Sequence, residues 1–266
     1  MNAPCDLLLP DVQSQQPEHG LAIDDVGVKD VRHPIRIRNA NGEIQHSIGY
    51  FDMYVSLPAS DKGTHMSRFI EMLENFDGCF SQETFQHWLE QMVSRLDAQQ
   101  GMVAVSFPYF INKRAPVSGV SSLMDYEVRL VGQFHRQRGH QLQISVQVPV
   151  TSLCPCSKQI SAYGAHNQRS HICINAAVRA GLSIESLIGI AEQAASCELW
   201  GLLKRPDEKY VTERAYENPK FVEDLVRDIA RRLIDDPRVG SFEVSSENFE
   251  SIHNHSAFAR IRHAKS

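Results

Sequence analysis

The chain has 266 residues, 42% hydrophobic and 22% charged, which describes a soluble globular protein of one large or two small domains. Its 27 basic and 32 acidic residues give a net charge of −5, against the basic excess usual in a general nucleic-acid binder. The first apolar run, Leu7 to Leu9, stops at Pro10, so neither a signal peptide nor a membrane helix is expected. Six cysteines without an export signal then point to reduced thiols and the cytoplasm rather than a disulfide framework.

Residues 1–22 are polar, carry prolines and show no period, and read as a leader. Strands are expected over about 32–38 and 43–57, joined by Asn39-Ala40-Asn41-Gly42, whose Asn-Gly pair signals a hairpin turn. The second strand alternates Phe51, Met53, Val55 and Leu57 toward one face. Two helices follow. One carries Phe69, Ile70, Leu73 and Phe76; the other starts after Ser81 and carries Phe85, Trp88, Leu89, Met92, Val93 and Leu96. That stripe reads as core. Strands resume through Val103, Val105 and Phe107, and through Met124, Tyr126, Val128 and Leu130.

The second half repeats the order. Strands through Ile144, Val146 and Val148, and through Ile172, Ile174, Ala176 and Val178, flank a long polar loop, 151–170. A helix with Ile184, Leu187, Ile188, Ala191, Ala194 and Ala195 on one face comes next. The following helix takes Asn218 as N-cap and Pro219 at its first position, turns Val222, Leu225, Val226, Ile229 and Leu233 inward, and ends at Asp236-Pro237. Strands over about 241–247 and 255–262 close the chain. Each half, 23–137 and 138–266, thus reads strand-strand-helix-helix-strand-strand, although the two share no residue-level identity. The pattern implies an α+β fold, with helices on one face of an antiparallel sheet whose open edges suit a homo-oligomer.

The chemistry-bearing residues concentrate in the 151–170 loop, which holds Cys154, Cys156, Lys158, His166 and Arg169 and runs on to His171. Loops of that length without secondary structure are often functional. Cys and His together suit a borderline metal, and three protein ligands with an open position would make a catalytic site. One Cys-x-Cys falls short of a structural zinc site, and two inert buried thiols are the plain alternative. Farther on, His253 and His255 stand two apart, which places both on one face of an extended strand. Glu208, in the polar stretch 204–209 between the second pair of helices, reads on its own as a surface carboxylate. Glu223, next to Val222, reads alone as a solvated side chain or a partner of the helix dipole. In the stretch 61–69, Gly63 permits close backbone approach and a helix N-terminus offers N–H groups. Lys62, His65 and Arg68 would add donors for phosphate oxygens; the alternative is a capped helix with exposed cations. The stretch lacks Walker A spacing.

Three segments taken together, KGTHMSRF (62–69), PVTSLCPCSKQISAYGAHNQRS (149–170) and ENFESIHNHSAFA (247–259), resemble the GTP cyclohydrolase type IB family of the tunnelling-fold (T-fold) superfamily. The resemblance implies tandem T-fold modules. It also implies conversion of GTP and water to 7,8-dihydroneopterin triphosphate and formate, the entry to folate-type pterins. Carried over by position, Cys154, His166, Glu208 and His253 resemble the residues that hold a divalent metal, which could be zinc, manganese or iron. Glu223 resembles the carboxylate that anchors the guanine edge, and Lys62, His65 and Arg68 are the candidates for the triphosphate, with Lys158 a further cation. His255 or His171 would move protons.

The family further implies a homo-oligomer, a tetramer, with sites at interfaces, and neither nucleic acid nor membrane as partner. Cys156 is a neighbour whose role the sequence leaves open, while Cys173 in a strand and Cys197 in a helix read as packing residues. Two rivals remain. One is a T-fold nitrile reductase with Cys154 as nucleophile; the other is a non-catalytic, metal-stabilised pterin-binding module.

Overall fold

Gly42 turns the first hairpin, as its Asn-Gly pair predicts, with φ at +84°. Its N–H donates to Asn39 and the Asn39 N–H donates to Glu43, at 3.0 and 2.9 Å. The strands it joins are β1 (Ile23–Arg38) and β2 (Ile44–Leu57). The computed structural model describes residues 18–264 except 77 and 180, so most of the expected leader lies outside the described residues. β1 begins well before residue 32, because its first half is largely exposed and shows no alternation to read. Helices α1 (Met66–Glu74) and α2 (Gln82–Arg95) follow, then β3 (Gln100–Arg114) and β4 (Ser121–His135). Ser81 caps α2 as expected, in a reciprocal capping box with Thr84. In α1 the buried side chains are Phe69, Met72 and Leu73, whereas Ile70 is exposed.

The second half holds more elements than its apolar pattern shows. In chain order it contains β5 (Gly139–Leu153), α3 (Pro155–Ile160), β6 (Asn167–Val178), α4 (Ile184–Ala194) and β7 (Cys197–Glu198). After these come α5 (Arg205–Glu217), α6 (Val222–Asp235), β8 (Val239–Asn248) and β9 (Ala257–His263). Helix α5 went unread because it buries only Asp207 and Ala215, which leaves no apolar stripe. Asn218 is therefore the C-cap of α5, and α6 starts after Phe221. Cys197 lies on β7, not in a helix.

The strands form one sheet in the order β1-β2-β3-β4-β5-β6-β8-β9, with β7 attached to β5, and all these neighbouring strands pair antiparallel. The expected boundary at 137/138 lies in the turn between β4 and β5, across which the sheet is continuous. Alternate strand residues such as Phe51, Val105, Val146 and Ile174 bury against the helices. The opposite face is polar, with Arg129 paired to Asp52 at 3.2 Å. Edge strands β1 and β9 are paired on one side only. The sheet is thus the expected antiparallel α+β layer. Among the described residues, no helix is long and apolar enough to cross a membrane.

One buried carboxylate fixes α5. Asp207 accepts the N–H groups of Val117, Ser118 and Lys204, each at 2.8 Å, and the Ser118 hydroxyl at 2.6 Å. Burial disfavours its charge, but these four donors outweigh burial and hold its pKa well below the usual carboxylate range. The tip of the β3–β4 hairpin is thereby tied to the first turn of α5.

Candidate active site

Strands β5 and β6 stay paired to the end of the ladder, the last residue of β5, Leu153, opposite the first of β6, Asn167. Beyond that pair the backbone N–H of Cys154 donates to the His166 carbonyl at 3.1 Å, which adds one more contact between the two segments. Pro155 then starts α3, a position where a missing N–H costs nothing. Cys154 is the N-cap, its Sγ accepting the Ser157 N–H at 3.5 Å. The Ser157 hydroxyl donates to the Cys154 carbonyl at 3.1 Å and accepts the His166 N–H at 3.2 Å. The expected open loop is therefore a short helix and a return strand, held by Ser157.

A cavity of about 290 Å³ opens beside this turn, lined by Cys154, His166, Gln168, Glu223, Glu250, His253 and His255. Three parts of the fold supply them: the β5–β6 connection with the start of β6, the first turn of α6, and the β8–β9 connection. His166 Nδ1 stands 3.0 Å from Gln168 Oε1, 3.4 Å from Ser251 Oγ and 4.0 Å from Glu250 Oε2. A proton on Nδ1 donated to Gln168 leaves the Nε2 lone pair to bind a metal or accept a proton. The His166 and Glu250 side chains are only 14% and 13% exposed, so their contact is shielded from bulk water.

The i, i+2 reading of His253 and His255 needs correction. Residues 249–256 form an irregular connection rather than a strand, yet the two rings still meet, stacked at 5.2 Å and 17°. Of the two proposed proton carriers, only His255 lines the cavity. His171 faces the other side of the sheet, 3.2 Å from Gln147 and edge-on to Phe249 at 4.9 Å.

Glu208 lies on the first turn of α5, not in a loop, exposed and outside this cavity. Cys154, His166, Glu208 and His253 therefore do not assemble within one chain. Among the described residues, no three His, Cys, Asp or Glu side chains stand close enough to enclose a metal ion. The donor types in the cavity nevertheless suit a borderline divalent metal: one sulfur, imidazole nitrogens and carboxylates.

Lys62, His65 and Arg68 are also outside the cavity. Lys62 and His65 connect β2 to α1 and Arg68 lies in its first turn, and β2 is separated from β8 by β3, β4, β5 and β6. At strand spacing that is on the order of 24 Å across the sheet. Arg68 donates to the Arg95 carbonyl at 3.3 Å, and His65 occupies the N-cap position of α1 without a side-chain capping bond. Lys158 is turned away, its ammonium over the Tyr216 ring at 4.4 Å. Sequence reasoning missed Gln168, near the start of β6 beside His166, and two further lining residues. Glu250 sits inside the segment 247–259, and Lys220, paired to Asp228 at 2.5 Å, precedes Glu223 by three positions.

A family model described as type I GTP cyclohydrolase folE2 matches residues 9–259. The chain belongs to the type I GTP cyclohydrolase family. Its activity is that of a GTP cyclohydrolase I, a hydrolase of folate biosynthesis, which sets aside the nitrile reductase and the non-catalytic module. A GTP cyclohydrolase FolE2 from Azoarcus sp. is 56% identical over 265 residues, covering 100% of this chain and 98% of that protein. Its counterpart from Paraburkholderia xenovorans is 57% identical over 258 residues, covering 97% and 96%. Among solved structures, the uricases of Bacillus fastidious and Arthrobacter globiformis align with TM-scores of 0.55 and 0.51. They are 12% and 10% identical and cover 93% and 91% of this chain and 94% of each uricase, a likeness of fold alone. That fold is the T-fold.

Proposed function

We propose that the cavity beside Cys154 is where this GTP cyclohydrolase converts GTP and water to 7,8-dihydroneopterin triphosphate and formate. The observation that carries the reading is convergence: Cys154, His166, His253 and Glu223 line one cavity from three separate parts of the chain. Cys154, His166 and His253 are the residues that would hold a divalent metal, zinc, manganese or iron. Bound there, such an ion supplies a water of lowered pKa for addition at carbon 8 of the purine.

The chain's own groups do the rest. The Glu223 carboxylate accepts two N–H groups from the amide-and-amine edge of guanine, and a base that left it unpaired would be rejected. Gln168 fixes the tautomer and ring plane of His166 by accepting its Nδ1 proton. Glu250 Oε2, 4.0 Å from the same nitrogen, is a second acceptor beside that proton. His255 is the imidazole free to carry protons between steps.

Glu208 and the Lys62, His65 and Arg68 group reach the cavity from a second copy of the chain, in a tetramer with its sites at interfaces. The remoteness of both within one chain, and the two open sheet edges, support this. The enzyme acts in the cytoplasm. The direct test incubates purified protein with GTP across a panel of divalent metals and reads pterin fluorescence after oxidation. A fluorescent pterin is expected; no product with any metal overturns the reading.

A further inference from the structure

Two segments of the cavity, the one that begins with Cys154 and the one that ends with Glu223, meet directly and are both tied to a third that lines no part of it. Leu153 immediately precedes Cys154, and its N–H donates to the Ser196 hydroxyl at 3.1 Å. The Leu153 carbonyl accepts the Lys220 N–H at 3.1 Å, three residues before Glu223. Asn218 then closes the circuit, its side-chain amide donating to the carbonyls of Ala195 and Ser196 at 2.8 and 3.3 Å. Ser196 is fully buried and Leu153 nearly so.

We propose that Ser196 and Asn218 are positioning residues for the cyclohydrolase reaction, acting as a lock that fixes the distance from Cys154 to Glu223. The inference rests on the roles given above to those two side chains. The chemistry of the lock explains its residue types. A serine can accept from Leu153 with its hydroxyl while its own carbonyl accepts from Asn218. An asparagine offers two N–H donors at the C-cap of α5, where an aspartate of the same shape offers none. Leu153, Ala195 and Ser196 are removed from water and Asn218 is half-buried, so an unmade bond to Ser196 is not replaced by solvent and the segments shift instead. Guanine is gripped at Glu223 while the reacting carbon must meet the Cys154 side of the cavity. Loosening the lock should then spare binding and harm turnover, and displacements near 1 Å can cost about 100-fold.

The experiment compares Ser196→Ala, Ser196→Thr, Asn218→Asp and the Ser196→Ala/Asn218→Asp double variant with wild type, each loaded with the same metal. Steady-state kinetics with GTP and the thermal midpoint are read together, with kcat expressed per folded molecule. The lock predicts kcat down roughly 10- to 100-fold in Ser196→Ala and Asn218→Asp, with KM for GTP within about threefold. Ser196→Thr, which keeps the hydroxyl, should recover most of the rate. The double variant should be no slower than the slower single, because both break one circuit. Binding of Co²⁺ to the metal-free variants gives a readout apart from activity: affinity should stay within about tenfold, since the lock spans two segments rather than the ligands themselves. Unchanged kcat in folded Asn218→Asp overturns the proposal, as does a loss in any variant that merely follows the folded fraction. Glu223→Gln run alongside separates this from the underlying reading. If Glu223→Gln leaves GTP binding intact, the site assignment fails; if it weakens binding while Asn218→Asp is unaffected, the lock alone fails.

Discussion

Cys154 donates its backbone N–H to the carbonyl of His166 at 3.1 Å, so the two residues proposed to share a metal are joined by main chain before any ion arrives. That bond and the Ser157 contacts use backbone atoms of both residues. The Cys154 sulfur is spared for chemistry apart from one long contact with the Ser157 N–H. Cys154→Ala should therefore stay folded, with a thermal midpoint within a few degrees of wild type. Its turnover of GTP should fall by roughly 100-fold or more, beyond the loss usual for an outer-shell change. A steady-state assay beside a melting curve checks both halves of the expectation.

Glu223 stands in the first turn of α6, exposed toward the cavity mouth and beside Phe221 and Val222. Replacing its carboxylate by an amide removes one acceptor and sets a donor against the donors of guanine. Hydrogen bonds to a charged partner are worth about 1.5–3 kcal/mol each, so kcat/KM for GTP should drop by roughly 100-fold in Glu223→Gln. Measuring kcat/KM for GTP in the variant tests this, and a change below about threefold would remove Glu223 from the site.

Asp207 gives the fold a dependence on acid. Its folded pKa is depressed by four hydrogen bonds that outweigh burial, so its contribution is full above the unfolded carboxylate pKa, about 3.9, and fades as pH falls toward the folded value. Asp207→Asn should accordingly melt below wild type at neutral pH, and the gap should narrow below about pH 4. Thermal melts between pH 7 and pH 3 report the gap directly; one that widens with acid would contradict the assignment.

The described thiols should differ sharply in reactivity. Cys156 is exposed at the start of α3, whereas Cys197 is fully buried and its thiol is pushed up to about 11, chiefly by burial and then by Glu198. Burial, with Glu247 and Glu243 nearby, also raises Cys173. Timed alkylation of the native protein followed by peptide mass spectrometry should find Cys156 labelled first and Cys197 only on unfolding.

Much of this was legible in the sequence because apolar spacing carries it. The stripes of α2 and α6, the Asn41-Gly42 turn and the alternation of β2 and β5 all report a buried face, and those elements stand where their periods place them. Helix α5 was not legible, since its anchor is a polar clamp at Asp207 and not an apolar stripe. Asn218 looked like the start of a helix, but its side chain serves two carbonyls on a distant segment, a use that no local pattern encodes. In the site, Cys154, His166, His253 and His255 were found in their motifs, and the cavity brings them together. Glu250 was missed although it lies in the same segment, because a lone glutamate at a strand end reads as solvated until His166 is seen beside it. The remoteness of Glu208 and of Lys62, His65 and Arg68 depends on strand order, which periodicity does not reveal.

Titration of metal-free protein with Co²⁺, followed by near-ultraviolet absorption, is the decisive test of the proposed Cys154 thiolate ligand. A thiolate ligand gives a sulfur-to-cobalt charge-transfer band. The band should rise in wild type and in Cys156→Ala, and be absent in Cys154→Ala. A full band in folded Cys154→Ala, or its loss in Cys156→Ala alone, would contradict the account.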